Sequence, residues 1–307
     1  MRKSYFCICF FGAIAMSSAN PANPANPANQ IPWEVRPLEG GASETFLALE
    51  AAMPVVSIAS LNLKTCQISD RVAEVLARPE LEKFDYIPAS DRDRIVGVLH
   101  RPEAGQRGNS RDISEDISVR EAMQPLDESL LISANASLLS YIENADRSFY
   151  RLVAREEEII GIVTPSDLQK FPVRPLLFCA IALVELLLAE WLRQNYRQED
   201  WLAVLSEKRR AIIAQRWLDW GSDNTALDLV SVTEFCDKRD AALNLGAFAS
   251  KNAARKKLKD IEWLRHAVMH SGDYALTPEN AQRVSRTMRQ AREAIVILQN
   301  ALGDALG

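Results

Sequence analysis

The sequence predicts an α+β chain: two β-α-β-β-α repeats, followed by an all-α bundle of four to five helices. Three observations carry that expectation. The chain repeats at an offset of 64 residues, with Ile95-Val-Gly-Val-Leu99 matching Ile159-Ile-Gly-Ile-Val163. Beyond Pro172 and Pro175 the short β-branched runs give way to long helical patterns. The charge changes at the same point: residues 1–172 carry 17 Lys/Arg against 24 Asp/Glu, and residues 173–307 carry 19 against 17. A chain of 307 residues, 48% hydrophobic and 25% charged, has enough apolar sequence for more than one core. Its net charge of -5 does not by itself point to nucleic acid.

Residues 1–53 stand apart. Arg2 and Lys3 precede an apolar run from Tyr5 to Met16, and Ser17-Ser18-Ala19 offers a cleavage site. Three Pro-Ala-Asn triplets, Pro21 to Asn29, form a low-complexity linker. The segment reads either as an export signal or as a translated upstream region, with the true start at Met16 or Met53. Five cysteines without a CxxC pair suit reduced thiols and a cytoplasmic protein. Export is the alternative if residues 1–19 are a working signal.

Residues 54–172 hold the repeat. Tyr86 matches Tyr150, and each apolar run follows charged residues, Asp91 to Arg94 and Arg155 to Glu158. Each copy therefore predicts strand, charged turn and buried strand. A short amphipathic helix precedes each hairpin, from Asp70 and from Ala136, with Ser69 or Asp70 and Asn135 as caps. Ser118-Val-Arg-Glu-Ala-Met-Gln-Pro leads into the second copy, which closes on Gly161-Ile-Val-Thr-Pro-Ser-Asp-Leu168.

On these residues the region resembles a pair of CBS (cystathionine-β-synthase type) domains. The resemblance implies an adenosine-type ligand in the cleft between copies: AMP, ADP, ATP or S-adenosylmethionine, acting as a regulator. The pattern Gly-apolar-apolar-Thr/Ser-x-x-Asp falls on Thr164 and Asp167. The Thr164 hydroxyl can meet phosphate oxygens, and the Asp167 carboxylate can accept from both ribose hydroxyls. The same pair can equally cap and complement the dipole of the following helix. In the first copy His100 and Glu103 replace them, and Gly105-Gln-Arg-Gly-Asn-Ser110 suggests a loop. One working ligand site at most is expected.

Residues 173–307 predict helices over Leu176–Tyr196, Asp200–Trp220, Leu227–Leu245, Ser250–Ser271 and Thr277–Leu306. The first is apolar enough to consider a membrane, but Glu185, Glu190 and its charged flanks favour a central bundle helix. Thr277-Pro278-Glu279 combines a cap, a proline at the first helical position and an acid in the first turn.

Two of the three histidines lie in Arg265-His-Ala-Val-Met-His270, just before Gly272. His266 and His270 share a face at i,i+4, while Arg265 and His270 stand about 140° apart on an ideal helix. Zinc is not expected: HExxH needs Glu at 267, which is Ala. Without a ligand, His270 stabilises the helix C-terminus and Arg265 is a solvated charge.

Arg265-His266-x-x-x-His270 near the end of the third long helix of a small bundle resembles the HEPN family. That resemblance covers about residues 174–306 and implies a metal-independent ribonuclease, working as a homodimer with two motifs across one cleft. RNA supplies its own nucleophile, the 2'-OH. His270 then serves as base or acid, Arg265 holds the scissile phosphate, and His266 positions it or moves the second proton. Glu185 orients Arg265, or is a core carboxylate. The run Arg255-Lys-Lys257-x-Lys259 can track an RNA backbone.

The expected function is thus a nucleotide-sensing protein with an endoribonuclease domain, a toxin or stress effector, with RNA and an adenosine-type ligand as partners and no membrane. The alternative is a non-enzymatic regulator whose bundle dimerises or binds partners.

Overall fold

The computed structural model describes residues 41–101, 117–196, 200–220, 228–270 and 272–303. The signal-like run, the Pro-Ala-Asn triplets, Glu103 and the 105–110 segment lie outside them.

The described chain opens with α1 (Ala42–Ala52), which packs through Phe46 into the main core. The end of the segment expected to be signal or linker is therefore built into the fold. The first repeat follows: β1 (Cys66–Gln67), α2 (Val72–Leu76), β2 (Tyr86–Asp91) and β3 (Arg94–His100). β1 lies parallel to β2, and β2 and β3 form an antiparallel hairpin. Its two-residue turn holds Arg92 and Asp93 at φ 47° and 70°, the left-handed conformation that a tight hairpin requires.

After α3 (Val119–Ala122) and β4 (Gln124–Pro125), the second repeat copies the first: β5 (Leu131–Ser133), α4 (Leu138–Asn144), β6 (Arg151–Arg155) and β7 (Glu158–Val163). Glu156, 64 residues after Arg92, again has positive φ, and bulges fall at Ala89/Ser90 and Val153/Ala154. The expected caps move: Ser137, not Asn135, caps α4 through Ser140 N–H, and Asp70 instead accepts from Gln67 N–H and Arg78.

The segments that lead into the two repeats are exchanged. β4, the lead of the second repeat, pairs with β3 of the first. Ser60, in the lead of the first, pairs with Ile162 on β7 of the second. A glycine marks each crossing. A Cβ on Gly97 would lie 2.5 Å from the Gln124 carbonyl oxygen, and one on Gly161 would lie 3.0 Å from that of Ser60.

The bundle comprises α5 (Val173–Asn195), α6 (Glu207–Trp220), α7 (Phe235–Leu245), α8 (Lys251–Met269) and α9 (Pro278–Leu302). Two expected helices begin later than their sequence pattern suggests. Asp200–Val204 and Leu229–Val232 are 3-10 turns, and α6 and α7 start after them. The α7 start is set by Glu234, whose backbone N–H donates to Asp237. α5 has the length and mean hydropathy (2.0) of a membrane span, yet 61% of that window is buried inside the protein. It is the central helix, packed against α7, α8, α9 and α1.

The first repeat has a core of its own around Val75, Ile87 and Leu99. The second repeat does not: Leu138, Ile142, Val153 and Val163 belong to one core with α1 and the bundle. Charge seals that junction. Arg289 on α9 binds Asp146, and Arg292 binds Glu143 on α4 and Glu50 on α1.

Candidate functional site

These elements place the two sets of residues expected from the sequence. At the end of β7 the chain turns into a 3-10 helix, Pro165–Gln169, rather than the α-helix expected. Thr164 N–H and Oγ1 both lie on Asp167 Oδ2, at 2.6 and 3.0 Å. Lys170 Nζ stands 2.8 Å from Oδ1. The Asp167 side chain is 11% exposed, and both its oxygens are in use locally. Lys170 Nζ also donates to the Ile58 carbonyl at 2.5 Å, tying this turn to the exchanged lead. The capping role is therefore present in the geometry. A ribose would have to take over bonds now made by Thr164 and Lys170.

In the first repeat, His100 ends β3 and stacks on Tyr86 with ring centroids 5.0 Å apart. Its ring is exposed.

The second site sits on the last two turns of α8. Arg265 Nε donates to Glu185 Oε2 on α5 at 3.1 Å, so the structure brings together the two residues proposed from sequence. Glu185 is held from its other side by Lys238 Nζ, 3.2 Å from Oε1, and Lys238 itself donates to the Thr233 carbonyl at 2.7 Å. Lys238 is buried. Sequence reasoning passed over it because a charged residue inside Cys236-Asp-Lys-Arg239 looks like a solvated run. α7 instead turns Asp237, Lys238 and Arg239 inward, each onto an opposite charge.

His266 and His270 are exposed, their ring centroids 4.4 Å apart. His270 is the C-cap of α8, and its N–H donates to the His266 carbonyl. Among the described residues no hydrogen bond joins Arg265 to His270, which agrees with their angular separation on the helix. In the basic run, Lys257 pairs with Glu293 on α9 at 2.6 Å, so one of its charges serves the bundle.

Glu234, Cys236 and Asp237 bring potential ligand atoms within 4.8 Å of one another. They do not suit a cation. Arg209 and Arg216 already neutralise the carboxylates. Burial, reinforced by the charge of Asp237, pushes the Cys236 thiol up to about 11, which keeps it protonated.

No family model matches the chain, and no curated protein is similar to it. Solved structures are similar to part of it. The CBS domain of a bacterial CNNM/CorC family Mg2+ transporter in complex with ATP is 19% identical over 45% of this chain and 97% of its own, with a TM-score of 0.34. A CBS domain protein of unknown function from Thermoplasma acidophilum is 17% identical over 41% of this chain and 75% of its own, with a TM-score of 0.31. The CBS domains of a transcriptional regulator from Streptococcus pneumoniae are 15% identical over 38% of this chain and 96% of their own, with a TM-score of 0.30. All three are CBS domains or CBS domain proteins.

Proposed function

We propose that the chain is a ligand-responsive regulatory protein whose bundle carries a metal-independent RNA-cleaving site. The observation that carries this is the Arg265–Glu185 bond at 3.1 Å beside two exposed histidines on the same end of α8. A fixed guanidinium suits the charge that builds on a phosphate under attack. The histidines suit the two proton transfers. One takes the 2'-OH proton as that oxygen bonds to phosphorus, and the other gives a proton to the 5'-oxygen as the P–O bond breaks. Rings 4.4 Å apart on one helix stand on one side of a phosphate. Attack and departure occur on opposite sides, so a second copy facing the first supplies the other histidine. In the α+β region, an adenosine-type ligand at Thr164 and Asp167 sets activity by favouring one arrangement of the two bundles.

The test is RNA cleavage in EDTA by wild type, Arg265→Ala and His270→Ala. Cleavage that survives EDTA and disappears in both variants, with the helical circular-dichroism spectrum unchanged, supports the ribonuclease. Equal activity in all three proteins overturns it.

One observation favours a second reading, a non-enzymatic regulator. Arg265 is committed to a carboxylate and has no described bond to His270. In that case His270→Ala leaves partner binding and oligomeric state as they are in wild type.

A further inference from the structure

The loop that follows α8 is held by the α+β region. Gln169, the last residue of the 3-10 turn after β7, donates from Nε2 to the Gly272 carbonyl at 3.3 Å. Its Oε1 accepts from Ala275 N–H at 2.9 Å. One amide thus uses both its ends on the 272–275 loop, more than 100 residues away in sequence. The loop in turn is fastened to α8, because Gly272 N–H donates to the Ala267 carbonyl at 2.8 Å. A second grip comes from α5, where the Arg174 guanidinium lies 5.9 Å from the centre of the buried Tyr274 ring.

His270 caps α8 between Ala267 and Gly272, the two residues joined by that bond. The His270 imidazole is exposed, with the His266 ring 4.4 Å away, and its placement depends on how the helix terminates. Here the loop that follows the helix end is held by Gln169. The residue also follows Asp167 by two positions, so it belongs to the same turn as the candidate ligand site.

We infer that Gln169 is a positioning residue for His270, holding the end of α8 through the Gly272 carbonyl and the Ala275 amide. The catalytic part of this inference rests on the ribonuclease reading of Arg265, His266 and His270; the geometric part does not.

The experiment compares full-length wild type, Gln169→Ala and Gln169→Glu, with Arg265→Ala as reference. Three readouts are taken: RNA cleavage kinetics, amide hydrogen exchange over 272–275, and the imidazole carbon-bound proton resonances of the three histidines. Gln169→Ala is expected to speed exchange at Ala275 roughly tenfold, as the loss of one hydrogen bond does. It should shift the His270 resonance and leave that of His100 in the first repeat unmoved. It should lower kcat roughly tenfold at unchanged KM, as a small misplacement of a catalytic group does. Gln169→Glu keeps the acceptor for Ala275 N–H and loses the donor to Gly272, so it should restore the Ala275 protection and not the kcat.

A His270 resonance and kcat both unchanged in Gln169→Ala overturn the inference, whatever the loop exchange shows. If wild type cleaves no RNA, the ribonuclease reading falls and the His270 resonance alone decides whether Gln169 positions that ring. Far-UV circular dichroism and the melting temperature of each variant separate a local effect from unfolding.

Discussion

Tyr86 and Tyr150 occupy equivalent places in the two repeats, and their rings meet with centroids 4.7 Å apart. The offset of 64 residues thus becomes a contact between equivalent positions of the two copies. Val98, Leu130 and Leu152 pack around them, and Tyr150 Oη lies 3.1 Å from Gln124 Oε1. Truncating both tyrosines to alanine is expected to cost less than the sum of the single truncations, with a coupling of about 0.5–1.5 kcal/mol. Tyr150→Phe should cost only about 1 kcal/mol, the worth of one hydrogen bond. Denaturant unfolding of the four proteins of the cycle and of Tyr150→Phe measures both quantities, and additive truncations would show that the two rings do not interact.

Gly97 and Gly161 should respond differently to alanine. The Gly97 Cβ would press on a backbone oxygen at 2.5 Å, where only a shift of β4 gives relief. At Gly161 the nearest atom is 3.0 Å away. Gly97→Ala is expected to destabilise by about 1–3 kcal/mol and Gly161→Ala by less, the usual range for overpacking. The order of the two unfolding midpoints checks this.

Asp237 is 1% exposed, and both its oxygens receive Arg209 at 2.7 Å. Asp237→Asn leaves the Arg209 charge half-buried beside an amide and weakens the start of α7. The expected cost is about 1–3 kcal/mol, because Arg209 keeps Glu234 at 2.9 Å as a partner and is not left unpaired. Thermal or urea unfolding reads it directly.

Acid should loosen the protein in a defined window. Burial by itself raises the Asp228 carboxyl, but the Arg193 guanidinium and Ser231 outweigh it and bring the group from 3.8 down to about 2. Arg289 likewise lowers Asp146. A carboxylate depressed by folding contributes stability above its unfolded pKa, and that contribution disappears as pH falls through the folded value. The loss therefore falls between about pH 4 and pH 2. Asp228→Asn should flatten the dependence of melting temperature on pH across that window. The effect is modest, because the Asp228 side chain is 45% exposed and its ion pair is screened.

The sequence reveals the elements of this fold better than their partners. The two hairpins, α8 and α9 follow from local alternation, helical period and the Thr277-Pro278 start, and each lies within a residue or two of the expected bounds, except that α9 ends at Leu302 rather than Leu306, because Gly303 caps it with φ 65°. Glu185 and Arg265 could be paired because both are charges on otherwise structured helices. The exchanged leads, the Lys238 anchor and the Gln169 bonds could not be seen. Each joins residues separated by tens to more than a hundred positions, and no periodicity encodes such a contact. The delayed starts of α6 and α7 were hidden for a different reason: a 3-10 turn carries nearly the same apolar spacing as the helix it precedes.

The shared core also imposes an order on synthesis. Phe46, Val55 and Ile58 belong to the same packed interior as Leu298 and Leu302, and Ser43 bonds Gln299 across 256 positions. At typical elongation rates, the first helix waits on the order of ten to fifty seconds for the strand of chain that completes it. The first repeat, with its private core, has its central contacts available early. The second repeat and the bundle stay open to chaperones, or to one another on neighbouring ribosomes, until the last helix emerges. A message cut short before α9 would release a product with its largest apolar face uncovered.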